Sequence, residues 1–260
     1  MNRLWAGAAM ALTAAGCTGP SLVTPAGRPV EQQPVAAAGP NDPYANVCHL
    51  QTERVGLGGD GGSGSAVLYR GRYLITAAHN VSSPIYNRVT RIEVRCGRRI
   101  IGDSAPDFIL TGREWATANG YRWRRYSHDL GVIRLPRELP TSTPVELASD
   151  VPPAGAVVEL AGYPGAGIAD TRTMYAATGP VVADSRRGRL SYFIRTTTGN
   201  SGGPVWQRDG SRLRLVGIHV VGYRSAGAGA RRVDDWFVRQ VNAMIRELDA
   251  RASRSRGERR

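Results

Sequence analysis

Three segments of the sequence carry side chains that could activate a nucleophile. They read Leu-Ile-Thr-Ala-Ala-His over Leu74–His79, His-Asp-Leu-Gly-Val-Ile-Arg-Leu over His128–Leu135, and Thr-Gly-Asn-Ser-Gly-Gly-Pro over Thr198–Pro204. A serine hydroxyl is a weak nucleophile near neutral pH, so it needs an imidazole to accept its proton and a carboxylate to orient that imidazole. The glycines between Gly199 and Gly203 could turn backbone N–H groups toward a developing oxyanion. These residue types fit acyl transfer through a serine.

The three motifs, in the order His, Asp, Ser, resemble those of the trypsin-like (chymotrypsin-fold) serine proteases. The resemblance covers the chain from about Val47 to Leu248. It implies an all-β fold of two packed antiparallel β-barrels with a C-terminal helix, and a site in the cleft between the barrels. The implied activity is that of a serine endopeptidase, which hydrolyses peptide bonds through an acyl-enzyme and takes a protein or peptide as its substrate.

The resemblance also implies a role for each site residue. His79 would be the general base and acid, Asp129 would orient it, and Ser201 would be the nucleophile. The N–H groups of Gly199 and Ser201 would form the oxyanion hole. A catalytically silent binding module of the same fold, on the cell envelope, is the alternative. The sequence does not favour it, because every one of these residues is present.

Two other interpretations of the motifs need to be weighed. Asp103 and Asp107 are alternative carboxylates, but only Asp129 opens an apolar strand. The segment around Ser201 also satisfies G-x-S-x-G, the nucleophile elbow of the α/β-hydrolases. That fold orders its triad Ser, acid, His, and here His219 is the only histidine after the serine. The absence of strand–helix alternation argues against such an esterase.

The sequence departs from the digestive proteases of this family at two asparagines. Asn200 stands before the nucleophile where those proteases carry the aspartate that pairs with a new N-terminal ammonium. We therefore expect no activation through that ion pair, and asparagine there is similar to the bacterial members, including glutamyl endopeptidases. Asn80 replaces the usual cysteine after the catalytic histidine.

The stretches that would build the primary specificity pocket contain no aspartate to attract lysine or arginine. They hold Arg195, Thr196 and His219, all of which can donate hydrogen bonds to a carboxylate. Glutamyl endopeptidases are similar here, with a threonine and a Gly-Ile-His strand in matching places. The resemblance predicts cleavage after Glu, and also after Asp, with these residues binding the substrate carboxylate. The simpler interpretation is a core histidine and a solvent-facing arginine.

Short strands separated by turn residues must position these motifs. The segments Ser65–Tyr69 and Arg72–Thr76 flank an Arg-Gly turn and predict a hairpin. Apolar residues recur at helical spacing from Trp236 to Leu248, after Asp234 and Asp235 as N-cap candidates. Together with the resemblance, these elements imply a protease domain over 46–250, and the arginine-rich end predicts a frayed basic tail over 251–260.

The first residues have the pattern of an export signal. Residues 1–16 combine a charged start, a short apolar run and small residues, as in a signal peptide. The small residues before Cys17 resemble a bacterial lipobox, with Ala14 where leucine is usual. We therefore expect a lipoprotein attached to the membrane through Cys17, with ordinary secretion or an uncleaved anchor as alternatives. Residues 17–45 are rich in Pro, Ala and Gly and predict a flexible tether.

Export also changes the interpretation of the other two cysteines. In an oxidising compartment Cys48 and Cys96 can pair. Two reduced buried thiols are the alternative. No C-x-x-C spacing occurs, so we expect neither a metal site nor another cofactor.

The chain as a whole is strongly basic. The formal net charge is +13, and no lysine contributes to it. Nucleic-acid binding is not expected, because no recognised nucleic-acid-binding motif accompanies the arginines. The arginine-rich segment Tyr121–Tyr126 fits an anion-binding loop or, better, an arginine–aromatic surface stack. No apolar run past residue 20 is long enough for a polytopic membrane protein.

Overall fold

The computed structural model describes most of the chain from residue 26 onward. The predicted signal peptide over 1–16 and the predicted lipidation site Cys17 lie outside the described residues. The described ranges are 26–36, 42–56, 61–82, 87–102, 104–112, 114–140, 143–165, 172–184, 186–210, 212–223 and 227–257.

Within these ranges the chain forms fifteen short strands and two α-helices. In chain order the elements are β1 (Gln33–Pro34), β2 (Val47–Gly56), β3 (Gly62–Tyr69), β4 (Tyr73–Thr76), α1 (Ala78–Val81), β5 (Asn87–Cys96), β6 (Phe108–Leu110), β7 (Trp115–Thr117), β8 (Gly131–Arg134), β9 (Val145–Leu147), β10 (Val157–Gly162), β11 (Tyr175–Val182), β12 (Arg189–Tyr192), β13 (Pro204–Asp209), β14 (Arg212–Tyr223), β15 (Gly227–Arg232) and α2 (Asp235–Gly257).

The first half of the fold is a curled half-barrel of seven antiparallel strands in the order β6-β5-β2-β3-β4-β8-β7. The predicted hairpin is confirmed as β3 and β4, with Val67 opposite Ile75. In the connection, Arg70 and Gly71 adopt positive φ values of 51° and 65°, as the two central residues of a type I′ turn require. The predicted disulfide is also present, since Cys48 and Cys96 face each other across β2 and β5 and are bonded.

The second half is a closed barrel. Its strands follow the order β11-β10-β13-β14-β15-β12, and β12 pairs back to β11. The short strands β1 and β9 add to β11 and β14. Together the two sheets and α2 confirm the predicted fold class. The antiparallel pairing also excludes the α/β-hydrolase alternative, because that fold is built on a parallel sheet.

The C-terminal helix begins where the sequence predicts. The Asp234 side chain accepts a hydrogen bond from the Phe237 N–H at 2.9 Å and so caps α2. Phe237, Val241 and Leu248 are buried in the core between the sheets and the helix. The predicted frayed tail differs, since α2 continues to Gly257, past the expected domain end at residue 250.

Part of the segment predicted as a tether over 17–45 packs on the second barrel instead. Strand β1 pairs with β11, and the Val30 N–H donates to the Phe193 carbonyl at 3.0 Å. Val35 is buried in the main core. A few apolar residues and an available sheet edge are enough to order 26–36, although the segment has no periodic pattern. None of the helices in the described ranges has the length and hydropathy needed to cross a membrane.

Candidate active site

Neighbouring strands bring His79 and Asp129 together. His79 lies on α1, directly after β4, and Asp129 ends the 3-10 turn Tyr126–His128, just before β8. Because β4 and β8 are paired, the two residues meet at the same sheet end. The Asp129 Oδ2 lies 2.7 Å from the His79 Nδ1, and Oδ1 accepts the His79 backbone N–H at 3.0 Å. Asp129 is only 2% exposed.

Ser201 lies in the loop between β12 and β13, which contacts the first sheet. Its carbonyl oxygen accepts the Ser65 N–H at 2.8 Å and the Asn80 Nδ2 at 2.7 Å. Asn80 is the residue next to His79, so the serine loop is fixed to the same short helix that carries the imidazole. The structure therefore brings the three predicted catalytic residues to one junction between the two sheets.

The loop also has the backbone conformation expected around an oxyanion hole. Gly199 adopts a φ of 93°, and a Cβ there would collide with the Tyr163 carbonyl oxygen. The Gly199 carbonyl accepts the Ser65 Oγ at 2.8 Å, which fixes the orientation of the following peptide. In the described part of the chain, no acceptor is bonded to the N–H groups of Gly199 and Ser201. Both donors are free to bind an oxyanion.

Sequence reasoning missed a buried polar cluster that supports this loop. The Thr76 Oγ1 donates to the Ser65 carbonyl at 2.7 Å, and the Asn80 Nδ2 donates to the Thr76 Oγ1 at 2.9 Å. All three residues are buried. In the sequence, this cluster corresponds to small polar residues inside or just after apolar strands. Such residues point to a buried network, because buried polar groups need hydrogen-bond partners.

An aromatic side chain stands beside the imidazole. Trp123 is 52% exposed, and its ring centroid lies 6.5 Å from that of His79 in an edge arrangement. It belongs to the arginine-rich segment Tyr121–Tyr126. A substrate chain that reaches His79 would meet this indole.

Two of the three predicted pocket residues, His219 and Thr196, lie on or against β14. His219 is buried on β14, and its Nδ1 lies 2.6 Å from the Tyr192 hydroxyl. The Thr196 Oγ1 is buried without a hydrogen-bond partner in the described residues. A Cβ on Gly222 would lie 2.7 Å from that oxygen. The threonine hydroxyl therefore lies against Gly222, and its hydrogen-bonding capacity is unused within the described residues.

Arg195 does not join these two residues. Its side chain is 61% exposed and forms an ion pair with Glu31 at 2.8 Å. Glu31 belongs to the part of the predicted tether that packs beside the second barrel. The prediction that Arg195 binds substrate is therefore not supported by its position.

The hydrogen bond between Tyr192 and His219 fixes the tautomer of the imidazole. Burial raises the pKa of Tyr192 well above its ordinary value, so the phenol keeps its proton. Among the described residues its only hydrogen-bond partner is the His219 Nδ1, so the phenol donates and that nitrogen accepts. Burial, with help from His79, lowers the pKa of His219 to about 3. His219 is therefore neutral near pH 7 and carries its proton on Nε2.

Comparisons with known proteins agree with the fold. The family model described as Trypsin matches residues 50–237. The structure of a Glu endopeptidase in complex with MPD is 19% identical with a TM-score of 0.63, and the match covers 85% of this chain and 98% of that one. Protease Anisep from Arthrobacter nicotinovorans is 15% identical with a TM-score of 0.61, over 78% and 96% of the two chains.

A third similar structure is an inactivated protease paralogue of the scabies mite. It is 14% identical with a TM-score of 0.63, over 84% of this chain and 99% of that one. No curated protein sequence matches the chain. At these identities the solved structures show the shared fold alone.

Proposed function

The chain belongs to the trypsin family, and from this premise we propose that it is a serine endopeptidase. The contact of Asp129 with both the ring and the backbone of His79 carries the proposal. It holds the imidazole with Nδ1 protonated, so that Nε2 is the nitrogen able to accept a proton from Ser201.

The reaction then follows from the residues at the junction. The Ser201 Oγ attacks the substrate carbonyl while His79 accepts its proton, and the N–H groups of Gly199 and Ser201 bind the oxyanion. His79 next gives the proton to the leaving amine, and the acyl-enzyme remains on Ser201. Water activated by the same imidazole hydrolyses that ester.

Cleavage profiling of a mixed peptide library by mass spectrometry tests the proposal. We expect cuts by the wild-type chain, none by Ser201→Ala, and unchanged cuts by Ser253→Ala, a control serine on α2. An electrophilic phosphonate should label the wild type at Ser201. No cuts and no label from a folded sample would support the alternative, a silent binding module. The mite protein, named as inactivated, shows that this fold can occur without activity.

We also propose that the pocket prefers Glu, and also Asp, before the scissile bond. The free Thr196 hydroxyl and the Nε2–H of neutral His219 supply two donors for a carboxylate. The resemblance to glutamyl endopeptidases supports the same preference. Peptide substrates that differ only in Glu, Gln or Ala at this position test it. Equal turnover of the three would refute an acidic preference.

We propose that the protein works outside the cytoplasm, anchored through Cys17. The Cys48–Cys96 disulfide supports an oxidising compartment, since such bonds rarely persist in reduced cytosol. The mass of the N-terminal peptide from cell-derived protein tests the anchor. A lipid-modified Cys17 is expected, and a mature chain that begins elsewhere would instead indicate ordinary secretion.

A further inference from the structure

A cleft of about 630 Å³ lies beside the turn that precedes Asp129, and its lining does not include His79, Asp129 or Ser201. Its walls are the turn that ends at His128, the backbone at Gly188, the end of β15 and the first turn of α2. Two carboxylates, Asp234 and Asp235, contribute to it. The cations that line it are Arg125, Arg187, Arg231, Arg232 and Arg239.

One of these arginines is a buried structural residue. Arg231 is 2% exposed, and its Nη2 donates to the Asp234 Oδ1 at 2.7 Å. Its Nη1 donates to the Gly188 carbonyl at 3.0 Å. Asp234 also caps α2 and lies 3.8 Å from the Arg232 guanidinium. The charge of Asp234 is therefore already shared between two arginines.

The other cations of the cleft lack such compensation. Arg187 and Arg239 are exposed, and neither forms an ion pair with any residue that the structure describes. The Arg125 Nη1 donates only to the Gly120 carbonyl, at 3.3 Å. Among the described residues that line the cleft, Asp235 is the one carboxylate outside an ion pair, and it faces these three guanidinium groups.

A further guanidinium lies close to these groups. Arg189 stands opposite Arg231 in the register of β12 and β15. Arg189 is buried, and its Nε and Nη2 have no hydrogen-bond partner among the described residues. Its guanidinium lies over the Tyr126 ring, 5.0 Å from the centroid. Burial, with help from Arg186, lowers its pKa to about 10.

We propose that this cleft binds a ligand carrying linked phosphate groups. Guanidinium forks bind phosphate oxygens in a bidentate manner, and several of them around one cleft favour a polyvalent anion over a single carboxylate. The Trp236 and His128 rings also line the cleft, and their centroids lie 4.8 Å apart. The ligand would contact the turn that leads into Asp129, and its binding does not depend on the proposed protease activity.

Calorimetric titration of the full chain with inorganic pyrophosphate tests the site. We expect the pair Arg187→Gln and Arg239→Gln to weaken binding about tenfold or more, because each exposed guanidinium is a charge-assisted donor. The matched control is Arg88→Gln with Arg246→Gln, which removes the same charge. Arg246 is exposed on α2, seven residues past Arg239 and outside the cleft. The control should change the affinity by less than about twofold.

Vesicles that contain cardiolipin, a lipid whose headgroup links two phosphate groups, form the second arm. If pyrophosphate binds and vesicles do not, the phosphate groups belong to a soluble ligand. If vesicles bind with the same sensitivity to the cleft variants and pyrophosphate displaces them, a lipid headgroup is the source. Absence of binding by both probes would overturn the site. So would an equal loss in the cleft pair and the control pair, since non-specific attraction alone would then explain binding. Thermal unfolding confirms that the variants fold, and the single substitutions replace any pair that does not.

Discussion

The Asp129 carboxylate holds His79 at two points, with one oxygen on the backbone N–H at 3.0 Å and the other 2.7 Å from Nδ1. The hydrogen bond from the His79 backbone N–H fixes the Asp129 carboxylate, so the hydrogen bond between the carboxylate and the imidazole ring has a fixed direction. A buried carboxylate in this position can stabilise an imidazolium without being protonated itself. Because β4 and β8 are paired, the short helix that carries His79 and the turn that carries Asp129 meet at the same end of the sheet.

Replacing Asp129 by Asn should remove most activity without unfolding the protein. The amide NH2 would face Nδ1 and force that nitrogen to accept, which leaves Nε2 protonated and unable to act as a base. We expect kcat to fall about 10⁴-fold, with KM nearly unchanged. Steady-state kinetics beside Asp150→Asn, a surface carboxylate paired with Arg214, measures the effect. Retention of more than about a tenth of the activity would show that another carboxylate serves His79.

Removing the Asn80 amide should misplace the nucleophile. Its Nδ2 donates to the Ser201 carbonyl at 2.7 Å and to the Thr76 Oγ1 at 2.9 Å. In Asn80→Ala the loop loses its direct bond to the helix of His79, and kcat should fall about 10-fold to 100-fold. Asn119→Ala, at an exposed asparagine, is the control. The idea fails if kcat stays at the wild-type value while stability falls, since the amide would then be purely structural.

The sequence was sufficient to predict features that depend on local patterns. The Arg70–Gly71 turn and the cap at Asp234 were both predicted, because their chemistry lies within a few residues. Strand β12 ends at Tyr192, before the three consecutive threonines at 196–198. Threonine favours β structure locally, but tertiary contacts place these residues in the loop before Gly199.

Contacts between distant residues could not be predicted in this way. Asn80 and Ser201 are 121 residues apart, and Arg195 meets Glu31 across 164 residues. No periodicity in the sequence encodes such pairs. The motifs identified the chemical groups of the site, whereas the polar cluster behind Ser201 became visible only in the fold.

Replacing Tyr192 by Phe should reduce the proposed acidic preference. Without the phenol, the His219 Nδ1 loses its donor, and the proton is no longer held on Nε2 toward the pocket. We expect the ratio of kcat/KM for Glu over Gln substrates to fall about tenfold, since one directed hydrogen bond is lost. Cleavage after Ala should change little. If the ratio stays the same, His219 does not bind the substrate carboxylate.

Stability should fall in mild acid because a neutral histidine is buried in the first sheet. His49 is 3% exposed, and its Nε2 lies 2.9 Å from the Ser63 Oγ. Burial, reinforced by Arg95, lowers its pKa to about 4 from an ordinary value of 6.5. Between pH 6.5 and pH 4 the His49 imidazole is protonated in the unfolded chain and neutral in the folded chain. The contribution of His49 to stability is therefore complete above pH 6.5 and is lost as the pH falls toward 4.

This linkage predicts a specific difference for His49→Gln. At pH 5 the wild type should have lost about 2 kcal/mol of its unfolding free energy through this group, relative to pH 7.5. The unfolding free energy of the variant should fall by about 2 kcal/mol less than that of the wild type between pH 7.5 and pH 5, whatever its value at pH 7.5. Denaturant unfolding of both proteins at both pH values measures the double difference, which cancels the cost of the substitution itself. The same loss in both proteins would mean that the imidazole accepts a proton within the folded sheet.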